Sequence, residues 1–560
     1  MNRFFVRGFL LAAALVVSGL GFAAAAAADN QYVVHNLVSD GAPSLPADQV
    51  DPSLVNAWGL VSAPTSPWWV ADNGTSISTL YNASGVKNLT THPSVPSDPT
   101  GVVWNGTAGS FLVGGKAAIF IFDTEDGGIL GWNGGPAATL EASGAAGAAG
   151  SAVFKGLAIA ASVSAPLQGP LLYATDFRNA RVDVYNAQWQ PVSVPGGFVD
   201  PSLPAGYAPF GIQNIGGLIF VTYAAQDATT DNHDEVDGRG LGVIDEFDTA
   251  GNLLARVAQG GDLNAPWGLA QAPASFGSFG GDLLAGNFGD GQINAFEQRP
   301  DGSFQQDGTL QSASGGSVAI DGLWSLQFGS GATNNGSTDT LFFTAGPNGE
   351  NDGLFGTINA ANIQCDNQQL SGHYRSVTVV VGAACTLLAG SGVSRDVQVE
   401  QGATLIDQGA TIGHDLTASN PSVIAVSGGS VGHDVQINGL TGTPPAGGDN
   451  VVCNTSIAHD LSVQNGAATA GPFDIGDPPN CSAGNQVGHD LVVQNNAEPV
   501  DVSDNGTAAN PIGHDLRVQD NRPGGATVSN NYAGHDATCQ RNSPQTGNGN
   551  RAVHSNSCPT

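Results

Sequence analysis

Six His-Asp pairs recur through the last third of the chain: His414-Asp415, His433-Asp434, His459-Asp460, His489-Asp490, His514-Asp515 and His535-Asp536. Imidazole and carboxylate both ligate metals, and imidazole changes charge near neutrality. The pairs sit in a frame reading apolar-Gly-His-Asp-apolar-x-apolar, at steps of 19 to 30 residues, with Arg395 standing at the His position one step earlier. Two readings are open. One is a structural ladder in which each Asp caps turn amides and each His packs over its neighbour. The other is a divalent-metal or proton-responsive stripe, in which charged imidazoles repel and the stack loosens as pH falls.

A second group of candidates lies in the first half. The run 224–240, AAQDATTDNHDEVDGRG, gathers Asp231, His233, Asp234 and Asp237, which could join a calcium-like oxygen site although the EF-hand spacing is not met. Asn56, Trp58, Asp72, Asn73, Asp176, Arg178, Trp267, Asn287, Asp290 and Asp321 recur near short apolar strands and form the candidate ligand-binding set. Asp and Asn in turns ordinarily bond their own backbone, and Trp ordinarily packs a core. No Gly-x-Ser-x-Gly, His-Glu-x-x-His or phosphate loop occurs. The residues therefore name no catalytic group and demand no cofactor; a divalent, calcium-like cation is the candidate.

The elements that must position these residues are short strands. The stretch Asn264 to Phe296 reads as a small antiparallel meander: Gly268-Leu269, then Leu283 to Ala285, then Gln292 to Phe296, separated by Gly, Asn and Asp turns. The same Gly-apolar start appears at Gly59, Gly101, Gly156, Gly211, Gly268 and Gly322, at steps of 42 to 57 residues. Three or four strands at that period predict propeller blades. Six copies predict six blades, and the unassigned strand Tyr32 to Val38 is expected to complete the last one. For blade two the pattern predicts strands at Phe111–Val113 and Ala118–Phe122, which would put Lys116 in the turn between strands two and three. That turn and the connection entering strand one share one face, where the candidates collect together with Lys155, Phe210, Asn348 and Glu350.

From Cys365 the period shortens to the His-Asp frame, which suits coils of a parallel β-helix. The expected fold is therefore all-β: a six-bladed β-propeller over residues 29–360, then a β-solenoid over 361–560. Residues 1–28 read as a signal peptide, with Arg3 and Arg7, an apolar run from Gly8 to Phe22 and alanines ending at Ala28. All six cysteines lie in the second half, and proximity predicts Cys365 with Cys385, Cys453 with Cys481 and Cys539 with Cys558. Disulfides and a leader together predict a secreted protein, extracellular or periplasmic. The net charge of −32 disfavours nucleic acid and anionic membranes as partners, and no later stretch is apolar enough to insert.

The run Phe220 to Asp248, with NAPWGLAQAP, GNFGDGQINAF, IDGLW and TAGPNGENDGLFG, resembles a family of uncharacterised exported bacterial propellers, some ending in a PEP-CTERM sorting tail. The resemblance covers about residues 30–360. It implies the propeller fold and brings no catalytic residues; this chain shows a second repeat region in place of that tail. Turns such as VADNGT and ATDFRN resemble NHL-type repeats, and the closing segment CQRNSPQTGNGNRAVHSNSC is similar to the ends of exported β-solenoid proteins. The expected function is non-catalytic: a ligand-binding or cell-surface scaffold taking a small molecule, glycan or protein at the propeller face. The alternative is a lactonase-like hydrolase in which Asp72, Asp176 and Asp290 hold an axial cation.

Overall fold

The computed structural model describes residues 31–162, 167–313, 315–444, 450–476 and 483–560. The expected leader, residues 1–28, and Cys481 lie outside the described residues. The first half is a ring of six antiparallel blades. Blade one comprises Ala57–Val61, Trp68–Asp72 and Ile77–Tyr81; blade two Pro99–Trp104, Phe120–Thr124, Gly128–Trp132 and Thr139–Ser143. Blade three comprises Phe154–Ser162, Gly169–Asp176, Arg181–Asn186 and Pro191–Val192; blade four Tyr207–Ile215, Leu218–Gln226, Val243–Phe247 and Leu253–Gln259. Blade five comprises Pro266–Gln271, Leu283–Asn287, Ile293–Gln298 and Phe304–Thr309.

Blade six takes Leu323–Phe328, Leu341–Ala345 and Leu354–Ala360 from the end of the repeat and Tyr32–Ser39 from its beginning. The closing pair is antiparallel, from Tyr32 opposite Ala360 to Ser39 opposite Leu354. Tyr32 is fully buried and its hydroxyl donates to the Phe276 carbonyl at 2.9 Å. Closure removes an edge that would otherwise offer unpaired amides to another chain.

The recurring glycines have a tertiary cause. A Cβ on Gly211 would lie 2.1 Å from the Trp267 carbonyl oxygen of the next blade, and one on Gly268 would lie 2.3 Å from that of Trp324. Inner strands thus touch backbone to backbone around the axis, and a side chain there would force them apart. The same contact corrects the sixth repeat. The register break seen at Pro209/Ile212 and Pro266/Gly268 falls at Leu323/Leu326 in blade six, so Trp324-Ser325, not Gly322, stands where Trp267-Gly268 stands in blade five. Gly322 lies in the preceding turn at φ 62°.

Blade two also departs from expectation. Leu112–Val113 pairs with Lys116–Ala117 in a separate hairpin, and the second and third strands are Phe120–Thr124 and Gly128–Trp132. The Asn105 amide closes that excursion by donating to the carbonyls of Ser110 and Ala118 at 3.3 and 2.9 Å. Lys116 therefore belongs to the connection between strands one and two, away from the candidate face, and Glu125 takes the turn in its place.

The second half is a β-solenoid whose described strands form three parallel sheets of ten, nine and six strands, the last continued by a short pair. Each coil sends alternate residues inward. Leu461 and Val463, Leu491 and Val493, and Leu516 and Val518 are buried and stack coil on coil in register. Fully burying one such side chain contributes about 2 kcal/mol. Asparagines fill the corners: Asn485, Asn505, Asn531 and Asn550 form one buried ladder, each Nδ2 donating to the next Oδ1 at 2.9–3.0 Å. Asn496, Asn521 and Asn542 form a second.

The His-Asp frame builds an outer ladder. From His414 to His535 the rings are near-parallel with centroids 4.6–5.3 Å apart. Each Asp Oδ1 accepts the backbone N–H of the next coil's Asp and also meets that coil's His Nδ1; Asp460 does both to Asp490 and His489 at 2.8 Å. Disulfides Cys365–Cys385 and Cys539–Cys558 clip the first and last coils. Cys453 is also disulfide-bonded. Arg375 ties the first coil to blade six, its Nη1 donating to Asn359 Oδ1 at 2.9 Å.

Candidate functional site at the propeller axis

Each inner strand breaks register at one residue pair, and in every blade one residue stands there ahead of the packed glycine or serine. These residues are Trp58, Thr100, Lys155, Phe210, Trp267 and Trp324. The Trp58 and Trp324 rings stack at 3.6 Å, Trp324 stacks on Phe288 at 4.2 Å, and Trp267 meets both tryptophans edge-on at 5.9–6.2 Å. Phe210 closes the cluster 5.9 Å from Trp324. The centre of the ring is therefore filled by aromatic side chains.

Above this floor the Lys155 ammonium lies 5.2 Å from the centre of the Trp58 ring and 2.6 Å from Glu125 Oε1, with its side chain 3% exposed. A cation over an indole face gains from the ring quadrupole, and burial strengthens that gain. The Trp267 indole fixes the lysine backbone by donating to the Lys155 carbonyl at 2.8 Å. A polar chain then runs around the axis. Asn73 Nδ2 donates to Glu125 Oε2 at 3.1 Å, and Asn56 Nδ2 donates to Asn73 Oδ1 at 3.1 Å and to Glu350 Oε2 at 2.7 Å. Trp324 Nε1 donates to Asn56 Oδ1 at 3.0 Å.

The long turn of blade four covers this chain. Asp234 Oδ1 lies 3.7 Å from the Lys155 ammonium and 2.7 Å from His233 Nδ1. Burial alone would lower the Lys155 ammonium, but the carboxylates of Glu125, Glu235 and Asp234 outweigh it and raise it. These carboxylates favour the charged form of the lysine. Burial lifts Glu235 to about 7 against the pull of Lys155, and Glu350 is raised for the same reason.

Of the residues singled out in the sequence, Asn56, Trp58, Asn73, Trp267, His233 and Asp234 join this assembly. Others turn into their own blades. Asp72 Oδ2 accepts the Thr79 amide at 2.8 Å, and Asp176 accepts the Val153 amide at 3.2 Å and pairs with Arg181 at 3.0 Å. Asp290 Oδ1 accepts from Asn287 Nδ2 at 3.0 Å and the Gln292 amide at 3.1 Å. Asp321 accepts the Asn348 amide at the rim, and Arg178 donates to the Asp231 carbonyl at 3.1 Å. Asp237 packs beside Gly289. Glu125 and Trp324 were not singled out. Glu125 was hidden by the extra hairpin, and Trp324 by the serine that replaces the sixth glycine, although Trp-Ser-Leu after Trp-Gly-Leu is a readable signal.

Fold and centre together define a six-bladed propeller whose axis is plugged by its own tryptophans and lysine, joined to a β-solenoid. No protein-family model matches the chain. It is 30% identical over 344 residues to Uncharacterized protein R648 of Acanthamoeba polyphaga mimivirus, covering 58% of this chain and 79% of that protein. Uncharacterized protein L690 of the same virus is 30% identical over 327 residues, covering 56% and 82%. The chain belongs to the family of these proteins. Among solved structures, virginiamycin B lyase from Staphylococcus aureus matches with 12% identity and a TM-score of 0.34, covering 59% of this chain and 100% of that one. A calcium-binding protein, regucalcin, from Agrobacterium tumefaciens matches with 10% identity and a TM-score of 0.31, covering 55% and 90%. Superposition at that level says nothing about chemistry.

Proposed function

We propose that the chain is an exported, non-catalytic scaffold that binds a small molecule, glycan or protein on the propeller face and carries that face on a rigid solenoid. The observation that supports it is the occupied axis. The Lys155 ammonium already supplies a positive charge to the carboxylates there, and the tryptophans beneath it pack against one another across the ring. Asp72, Asp176 and Asp290, which a hydrolase would need around an axial cation, each bond within their own blade. Export is supported by the two described disulfides, and no helix among the described residues is long and apolar enough to cross a membrane.

Calcium titrated calorimetrically into the full chain should give no saturable binding, and a panel of lactones should be hydrolysed no faster than in buffer. A stoichiometric calcium site, lost together with lactone hydrolysis in Asp72→Asn, Asp176→Asn or Asp290→Asn, would replace this reading with the hydrolase.

A further inference from the structure

The solenoid ladder presents a different polar arrangement. Its histidine side chains are 40–54% exposed, and each Nδ1 lies 2.8–3.3 Å from a carboxylate of the preceding coil. An ionised carboxylate only accepts hydrogen bonds, so the Nδ1 atom carries the proton and the neutral ring keeps its lone pair on Nε2. Among the described residues no protein hydrogen bond engages those Nε2 atoms. A carboxylate behind an imidazole fixes the tautomer and orientation and raises the basicity of the outward nitrogen, as it does for metal-ligating histidines.

We propose that this ladder binds divalent transition-metal ions such as zinc, copper or nickel through the Nε2 atoms of neighbouring imidazoles. Nitrogen donors suit these metals, whereas calcium and magnesium require oxygen. In the group His433, Asp434 and His459, one possible ligand atom from each residue lies within 4.8 Å of the other two, and the groups from His414 to His535 repeat this. The rings stand parallel with centres 4.6–5.3 Å apart, and across a tetrahedral zinc ion two imidazole nitrogens stand about 3.4 Å apart with converging lone pairs, so neighbouring rings must tilt toward each other, pivoting about their Nδ1 hydrogen bonds. Their exposure leaves room for that movement, and water completes the coordination. Pairing successive rings gives three sites: His414 with His433, His459 with His489, and His514 with His535. The net charge of −32 favours the approach of cations in general. This site is separate from the propeller face and does not depend on the function proposed for it.

The test is zinc titrated into the full chain by calorimetry, with metal content measured after dialysis. About three zinc ions per chain are expected, and calcium should not compete. His459→Gln/His489→Gln should lose one ion of the three, and replacing all six ladder histidines by Gln should lose all. Asp460→Asn, which keeps every histidine, should weaken the His459/His489 site by about tenfold or more. With copper, electron paramagnetic resonance should show coupling to two imidazole nitrogens. Unsaturable zinc uptake, uptake unchanged in the six-Gln variant, or a copper spectrum with oxygen ligands alone would overturn the proposal. Circular dichroism of each variant confirms that its solenoid is folded, and the Asp460→Asn result stands even if the six-Gln chain does not fold.

Discussion

Lys155 and the ladder histidines are both basic groups set against carboxylates, yet they are treated in opposite ways. The lysine side chain is 3% exposed, with Glu125 at 2.6 Å and an indole face beneath it. The histidines are about half exposed and use one ring nitrogen for structure. Burial makes a charge part of the architecture, because removing its partner strands the other ion in a poor solvent. Exposure leaves a group free to meet something else at little cost to the fold. The propeller centre should therefore respond to substitution through stability, and the ladder through binding.

The largest effect expected is for Trp324→Ala, which removes the ring stacked between Trp58 and Phe288 and should cost about 3–5 kcal/mol in denaturant unfolding. Lys155→Met should cost about 3 kcal/mol by stranding Glu125. The double variant Lys155→Met/Glu125→Gln should recover most of that loss; a double variant as unstable as the single would show that the ion pair is not what holds the centre. Cys558→Ser opens the loop closed by Cys539, of sequence separation 19, and should cost about 3 kcal/mol. Hydrogen exchange should find the loss concentrated in the last coil.

The effect of pH should be smaller and distributed. Burial raises Asp123, Glu235, Asp282 and Glu498 to about 7 and Asp245 to about 6. A raised carboxyl holds its proton in the folded state where the unfolded chain has lost it. Its contribution is full below the unfolded value and gone above the folded one. Stability should therefore fall as pH rises from about 4 to about 7, by a melting shift on the order of 5 °C. Lowered carboxyls such as Asp51 and Asp434 lose their contribution only below the ordinary carboxylate range. His489 acts in the same direction as the buried acids, since the Asp460 hydrogen bond raises it. The fold also sets a carboxylate against each ring, which offsets the repulsion between charged imidazoles. A melting temperature that rises between about pH 4 and about pH 7 would contradict the assignment. Smallest of all, His459→Gln should shift melting by less than about 2 °C.

Much of the fold is readable because its signals are local. Alternating burial within Leu461–Gln464 or Leu491–Gln494 is written directly in the apolar pattern, and the repeat length sets the coil. The Cys365–Cys385 and Cys539–Cys558 pairs follow from proximity for the same reason. The two asparagine ladders went unread. Asn485 and Asn531 each precede a ladder histidine by four residues, but Asn505 precedes His514 by nine, so a fixed offset from the His-Asp frame misses the column.

By itself the sequence determined the number of blades, the borrowed outer strand, the change from blades to coils and the column of His-Asp pairs, since each is a period that neighbouring residues impose on burial. Which side chains meet at the axis was decided only by the closed ring. Trp58, Lys155, Trp267 and Trp324 come from blades tens to hundreds of residues apart, and they converge because backbone packed on backbone at each inner strand turns the preceding residue toward the centre. Asp72, Asp176 and Asp290 carry the same turn chemistry as Asn73 and Glu125. Whether such a side chain caps its own blade or joins the axial chain depends on neighbours that no local pattern specifies.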